Sequence, residues 1–297
     1  MNKTILSSNQ IDAFKACSSN RLKMGVVYSF WALSGMLVTG LSVGLNFSNM
    51  LQIGGIILPA WFSLTLGVYI LNDIYDREFD KLIDREQPLV NGEVESIEAM
   101  VVVLTFTALG LILSAVVNIS TLLVSMLFLG IGVIYSVPPI NLKKRILGKQ
   151  FTLTFAFLLS ILVGGVALRG FPSVLSFMIL CVGPFVILMT PIPDLKDMES
   201  DKEQGCKTIP LLIGPERTID LGILAFASLL SLSFLGYFLY NFNIIFVFSI
   251  FSLCALNFHQ LLKLRGDERD EEDYLNARKK AWVAGILLPL IFIIGIF

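Results

Sequence analysis

Asn72-Asp73-Ile74-Tyr75-Asp76-Arg77-Glu78-Phe79-Asp80 begins where a long apolar run ends. Asp73, Asp76 and Asp80 stand at i, i+3 and i+7, so on a helix they fall within about 60° of one another and share a face. Carboxylates held that close repel one another unless a cation sits among them. The spacing returns at Asp194, Asp197 and Asp201, in Asp194-Leu195-Lys196-Asp197-Met198-Glu199-Ser200-Asp201, again just past an apolar run. One such triplet reads most simply as a solvated helix end. Two, each at the end of a hydrophobic stretch, read as halves of one site. Facing each other across a cavity they would hold Mg²⁺, which favours carboxylate oxygens shared with a substrate's phosphates.

The rest of the composition agrees with a membrane setting. Hydrophobic residues make up 55% of the 297 and charged residues only 15%, against about 25% charged in a soluble domain. Apolar runs of bilayer-crossing length recur along the whole chain. The spacing predicts nine spans, at 24–46, 51–71, 97–117, 119–137, 151–168, 171–190, 218–239, 243–262 and 280–297. The fold expected is an all-α integral membrane bundle of nine transmembrane helices around a central cavity, one domain across 1–297. A polar segment, 1–23, precedes the first span; the run starting near Met24 is too long for a signal-peptide core and is read as a retained span. Aspartate-rich loops are expected at 72–96 and 191–217. The net charge of −1 gives no electrostatic case for nucleic acid. Cys17, Cys181, Cys206 and Cys254 show no CxxC pairing and His259 stands in an apolar stretch, so neither zinc nor a disulfide framework is indicated.

Charge also gives an orientation. Counting alternate connections with the N-terminus inside puts every Lys and Arg except Arg169 on one face, and every Asp and Glu with them. Short loops rich in Lys and Arg face the cytoplasm. The N-terminus and the cavity mouth are therefore expected on the cytoplasmic side and the C-terminus on the other. Gly40-Leu41-Ser42-Val43-Gly44 has small-xxx-small spacing and is read as a helix-packing site. The acidic run from Asp267 to Asp273 is read as a solvated loop.

Basic residues accompany both acidic clusters. Lys81 and Arg85 follow the first, and Lys196, Lys202 and Lys207 surround the second. A diphosphate carries about three negative charges, which Mg²⁺ and a few Lys or Arg would neutralise. For any single basic residue a positive-inside anchor is the simpler reading. Lys143 stands apart, because Tyr135-Ser136-Val137-Pro138-Pro139-Ile140-Asn141-Leu142-Lys143 holds it at a fixed turn.

These residues resemble the UbiA-type intramembrane prenyltransferases, whose two aspartate-rich motifs read NDxxDxxxD and DxxDxxxD. The second motif here continues through Asp201, Gly205, Lys207, Thr208 and Pro210 as the family's does. Tyr135-Ser136, Pro138-Pro139 and Leu142-Lys143 look like its Y-S-x-P-P-x-x-L-K loop, with Gly148 following in place. The resemblance covers nearly the full length. It implies that Asn72, Asp73, Asp76 and Asp80, with Asp194, Asp197 and Asp201, hold Mg²⁺ and the diphosphate of a prenyl diphosphate. It places Tyr135 and Lys143 on the same chamber, and Arg21 matches a basic residue often found before the first span. The reaction implied is ionisation of an allylic diphosphate, then capture of the carbocation by an electron-rich acceptor, often an aromatic ring or quinone precursor. Asp194 or Asp197 would take up the released proton.

The departures concern the acceptor. Gln87-Pro88-Leu89-Val90-Asn91-Gly92 stands where many members read R-P-[IL]-x-x-G, and Arg85 is the available substitute. Gly92-Glu93 suits the homogentisate branch, whereas Tyr75-Asp76-Arg77-Glu78 resembles chlorophyll synthases, so the acceptor is left unnamed. Lys149 follows Gly148 where Asn is common. A terpene cyclase, which ionises the same diphosphate without an acceptor, is the second reading, and a cation-linked membrane transporter the third.

Overall fold

The computed structural model describes residues 8–82, 86–203, 207–265 and 271–297, all helix, turn or irregular chain. Eleven α-helices follow in order: α1 (Ser8–Ser42), α2 (Phe47–Leu82), α3 (Ser96–Val117), α4 (Ile119–Ser136), α5 (Gly148–Ala167), α6 (Ser173–Met189), α7 (Met198–Glu203), α8 (Ile209–Ile213), α9 (Pro215–Leu239), α10 (Ile244–Lys263) and α11 (Glu271–Ile294). Among the described residues, eight helices are long and apolar enough to cross a membrane. The region expected to form a ninth span is the apolar half of α11, whose first half carries Arg278, Lys279 and Lys280.

Two helices are longer than the sequence reading allowed. At about 1.5 Å per residue, α1 and α2 each run past 50 Å, well beyond the roughly 30 Å of a hydrocarbon core. The polar segment before the first expected span is therefore, from Ser8 onward, the same helix as that span. The first motif likewise does not lie in a loop, since α2 carries it to Leu82 without a break. The two overhanging ends lie side by side and position the site.

Successive long helices pack on one another, and α11 returns to α1. The tightest crossing is α1 against α5. A Cβ on Gly35 would lie 2.1 Å from the Ile161 carbonyl oxygen, and one on Gly164 would lie 2.1 Å from that of Ala32. Small residues let backbones approach this closely where no hydrophobic force separates helix from lipid. The small-residue pair read from the sequence is only half a packing site. Gly40 meets Met50 and Leu168, but Gly44 takes φ +67° in open space. There it closes α1, with Leu45 N–H donating to the Gly40 carbonyl at 2.8 Å, the left-handed helix stop that glycine favours.

At the far end of the bundle two asparagines join helix starts to helix ends. Asn118 accepts from Thr121 N at 2.8 Å, capping α4, and donates to the Val166 carbonyl of α5 at 3.0 Å. Asn243 caps α10 through Phe246 N and donates to the Ile294 carbonyl of α11 at 2.8 Å. Mid-bundle, Trp61 Nε1 donates to Ser160 Oγ at 2.9 Å, joining α2 to α5 where both are buried. These bonds pair interior polar groups with neighbouring helices, which a bilayer cannot do for them.

Candidate active site

The first motif lies on one face of α2, as its spacing predicts, and it meets cations from elsewhere. Asp73 is 4% exposed and Asp80 2%, so neither is a solvated helix end; carboxylates are rarely buried this deeply unless paired. Arg21, from α1, holds Asp73 with two nitrogens, Nε donating to Oδ2 at 2.7 Å and Nη2 to Oδ1. Lys143 donates to Asp76 Oδ1. Asn72 donates to Asp76 Oδ2 at 2.8 Å and accepts from Ser136 Oγ at 3.0 Å. Asp76 is therefore fixed from α2, from the end of α4 and from the loop beyond it.

That loop is shaped by its own sequence. The Pro138–Pro139 peptide is cis, and Asn141 and Leu147 take positive φ. A short 3₁₀ turn, Leu142–Lys144, aims Lys143 at Asp76. Gly148 is needed beneath it, because a Cβ there would lie 1.8 Å from the Leu142 carbonyl oxygen.

The second motif has the same spacing but a different backbone. Thr190-Pro191-Ile192-Pro193 ends α6, since each proline removes a helical N–H donor, and Asp194 falls in a 3₁₀ turn, Ile192–Leu195. Asp197 lies in the following turn and Asp201 in α7. Asp194 is 4% exposed and accepts Lys149 Nζ, from the first turn of α5, on Oδ1. Its Oδ2 is buried with no hydrogen-bond partner. Asp197 is exposed. Burial first, then the charge of Asp194, holds Asp201 above the usual carboxylate range; Lys149 offsets part of this and Asp197 adds to it.

Tyr135 joins the two motifs. It lies within electrostatic reach of both Asp76 and Asp194, and of Tyr69. Tyr69 hydroxyl donates to that of Tyr28 at 3.2 Å, and the Arg21 guanidinium carbon lies 5.9 Å from the Tyr69 ring centroid. Tyr28 stacks on Phe157 at 4.8 Å, and Trp31 meets Phe157 edge-on at 5.5 Å. An aromatic wall thus runs from the carboxylates into the bundle.

Of the cations expected here, Arg21 and Lys143 reach the carboxylates. Lys81 is exposed and paired instead with Glu78 at 3.0 Å, because it projects from the outer side of α2. Lys207 lines a neighbouring groove with Lys144 and Arg145. Arg85, Gly205 and Cys206 lie outside the described residues, as do 267–270 of the acidic run. Asp273, the last residue of that run, is not a solvated loop residue: it is 4% exposed and accepts Lys263 Nζ at 2.5 Å. Gln87, which stands where an Arg is common, is 3% exposed with neither amide atom hydrogen-bonded.

Three contributors escaped the sequence reading. Lys149 was visible only as a departure from a familiar pattern. Tyr28 follows Arg21 by seven residues and Tyr69 precedes Asp76 by seven, two helical turns each, so both share a face with a residue already singled out.

Among the described residues no three acidic side chains converge tightly enough to hold a metal ion as they stand. The donor set nonetheless fits Mg²⁺. It is all hard oxygen, from two motifs meeting at Tyr135, and the buried, unpartnered Oδ2 of Asp194 is an acceptor in need of a partner.

The chain is 27% identical over 192 residues to a digeranylgeranylglyceryl phosphate synthase from Sulfurisphaera tokodaii, an alignment covering 64% of this chain and 68% of that protein. It is 28% identical over 232 residues to homogentisate phytyltransferase of Synechocystis sp., covering 69% and 70%. Among solved structures, one of a digeranylgeranylglyceryl phosphate synthase superposes with a TM-score of 0.76 at 22% identity, over 98% of this chain and 99% of that one. A UbiA homologue from Archaeoglobus fulgidus bound to GPP and Mg²⁺ gives 0.64 at 20% identity, over 93% and 99%. The family model for UbiA prenyltransferases matches residues 26–293. This multi-pass membrane protein belongs to the UbiA prenyltransferase family.

Proposed function

We propose that this enzyme transfers an isoprenoid chain from a prenyl diphosphate to a small acceptor, releasing diphosphate, with Mg²⁺ as cofactor. The observation that carries the reading is that Tyr135 lies within electrostatic reach of both Asp76 and Asp194, which supports treating the two motifs as one site. Asp73, Asp76 and Asp80 would hold metal on one side, and Asp194, Asp197 and Asp201 on the other. When bound, Mg²⁺ would stabilise the negative charge that develops on the leaving diphosphate.

The side chains divide the remaining work. Lys143 and Lys149 each pair with a carboxylate of one motif, so each stands where a diphosphate oxygen would replace that carboxylate as its partner. Asn72, held by Ser136, keeps Asp76 in place while Lys143 exchanges partners. As the allylic C–O bond breaks, positive charge grows on the terminal carbon, and the rings of Tyr69 and Tyr135 would present electron density to it. The apolar wall around Phe157 and Trp31 excludes the water that would quench the cation. An aromatic ring or a hydroxyl group supplies the nucleophile the second step requires: the new bond forms at the cationic carbon and the acceptor releases a proton. Asp194 or Asp197 is positioned to receive it. The mouth of the site is assigned to the cytoplasmic face, where the Lys and Arg residues concentrate.

Purified protein supplied with Mg²⁺ and geranylgeranyl diphosphate, with and without an acceptor panel, tests this. Diphosphate release that requires an acceptor supports transfer. Release without one, accompanied by a cyclised product, would replace it with a cyclase.

A further inference from the structure

Arg278 lies two residues ahead of the ninth span expected from the sequence, in the charged first half of α11. The structure packs α11 on the 3₁₀ turn that carries Asp194. Ala277, 4% exposed, belongs to the same core as Ile192 and Leu195, the first and last residues of that turn. The next residue, Arg278, is exposed, and its charge reaches Asp194. Two other helices hold α11 on either side of it. Five residues before Arg278, Lys263 of α10 donates to Asp273 at 2.5 Å. Just beyond it, Lys280 donates to Gln260 Oε1 of α10 at 3.1 Å, and Lys23 Nζ of α1 lies 4.2 Å from the Trp282 ring centroid. Lys23 stands two residues after Arg21, so this contact sets α11 beside the part of α1 that grips Asp73. The backbone that carries Arg278 is thus fixed, yet its guanidinium forms no ion pair among the described residues; Asp194 is already held by Lys149.

We propose that Arg278 is a catalytic residue of the transfer reaction, reaching from α11 to bind the diphosphate of the prenyl donor beside the second motif. This rests on the transferase reading and adds to it a residue that neither motif contains. Lys143 and Lys149 each meet the diphosphate already engaged with a carboxylate, whereas Arg278 has no ion pair to give up. Hydrogen bonds from Arg to phosphate are among the strong ones, and its planar fork, charged at every working pH, matches two phosphate oxygens. As the allylic C–O bond breaks, both of its electrons stay with the bridging oxygen, and the added charge spreads over the phosphate that Arg278 grips. A fixed cation there favours the transition state over the bound ground state. Lys143, paired with Asp76, meets the same group from the first motif.

Binding of geranylgeranyl diphosphate and of uncharged geranylgeraniol to the full-length protein in detergent with Mg²⁺ tests the assignment. Arg278→Ala should weaken diphosphate binding at least about tenfold, a difference of about 1.4 kcal/mol, and leave binding of the alcohol within about twofold. Turnover at saturating donor should fall as well, by about 10²-fold. Arg278→Lys, which keeps the charge but not the fork, should recover part of both losses. Lys279→Ala, which removes an exposed cation one residue on, should bind the diphosphate as the wild type does. Wild-type diphosphate affinity in Arg278→Ala overturns the proposal. So does an equal loss of both ligands with a lowered melting temperature, which would make Arg278 a support for the turn at Asp194. An equal loss in Lys279→Ala overturns it too, by reducing the effect to bulk charge. Diphosphate binding that depends on Arg278, in protein that shows no transfer with any acceptor, would uphold the residue and overturn the transferase reading instead.

Discussion

Arg21 on α1 grips Asp73 on α2 with both Nε and Nη2, across 52 residues of chain. Asp73 is 4% exposed, so the guanidinium neutralises a charge that water cannot reach. Removing one partner of such a pair costs about 3–5 kcal/mol, because the other charge is left buried and uncompensated. Arg21→Ala should lower the melting temperature of the metal-free protein in detergent markedly, and Arg21→Lys less so. If Asp73 is also a Mg²⁺ ligand, saturating Mg²⁺ should raise the melting temperature of Arg21→Ala by more than that of the wild type. An equal rise in both would remove Asp73 from the metal site.

Asp76 and Asp197 do different structural work, and their variants separate catalysis from folding. Asp76 ties three segments together, whereas Asp197 is exposed and holds nothing through its side chain among the described residues. Asp197→Ala should therefore leave the melting temperature unchanged and reduce turnover at least about 10²-fold, the scale of losing one group that stabilises developing charge. Asp76→Ala should abolish turnover and still give folded protein in the membrane. Activity near wild type in either variant would count against a site built from both motifs.

How far these features were legible depends on the distance over which each is determined. The first motif was readable because helical spacing alone puts Asp73, Asp76 and Asp80 on one face. The second was read with the same geometry, yet Pro191 and Pro193 break the helix and leave Asp194 in a 3₁₀ turn. Both prolines are in the sequence, and each removes the N–H that a continuous helix through Asp194 would need. The cations that pair with the motifs come from 45 to 67 residues away, and no local pattern fixes which lysine meets which aspartate. Lys81 and Arg21 looked equally available, and only helix packing sends one outward and the other onto Asp73. Tyr28 and Tyr69 were within reach of the same periodicity argument that found the carboxylates.

The raised pKa of Asp201 gives metal binding a pH dependence. Burial and the Asp194 charge favour its protonated form, so a metal ion at this carboxylate competes with a proton. Apparent Mg²⁺ affinity should rise with pH through the interval from the ordinary Asp value to the raised one. Over the same interval the metal-free protein should lose stability, because the folded state then binds more protons than the unfolded one. Asp201→Asn should flatten both profiles. Calorimetric titration of Mg²⁺ at several pH values measures the first, and thermal melting in chelator the second.

The α1–α5 crossing predicts a contrast between Gly35, inside α1, and Gly44, just past its end. A Cβ on Gly35 would meet the backbone of Ile161 at 2.1 Å, and backbone cannot turn aside as a side chain does. Gly35→Ala must therefore push α5 away from α1, lengthening the Trp61–Ser160 hydrogen bond and loosening the turn at Gly148 that aims Lys143 and Lys149. Overpacking a well-filled interior costs about 1–3 kcal/mol or more, and here the displacement also reaches the site. Gly44→Ala meets no atom and strains only φ +67°, costing about 1 kcal/mol at a left-handed position. Gly35→Ala should lower both melting temperature and turnover, whereas Gly44→Ala should lower the first slightly and leave the second intact. Full activity in Gly35→Ala would mean that α1 and α5 separate without moving either lysine, and the coupling argued here between helix crossing and site would fall.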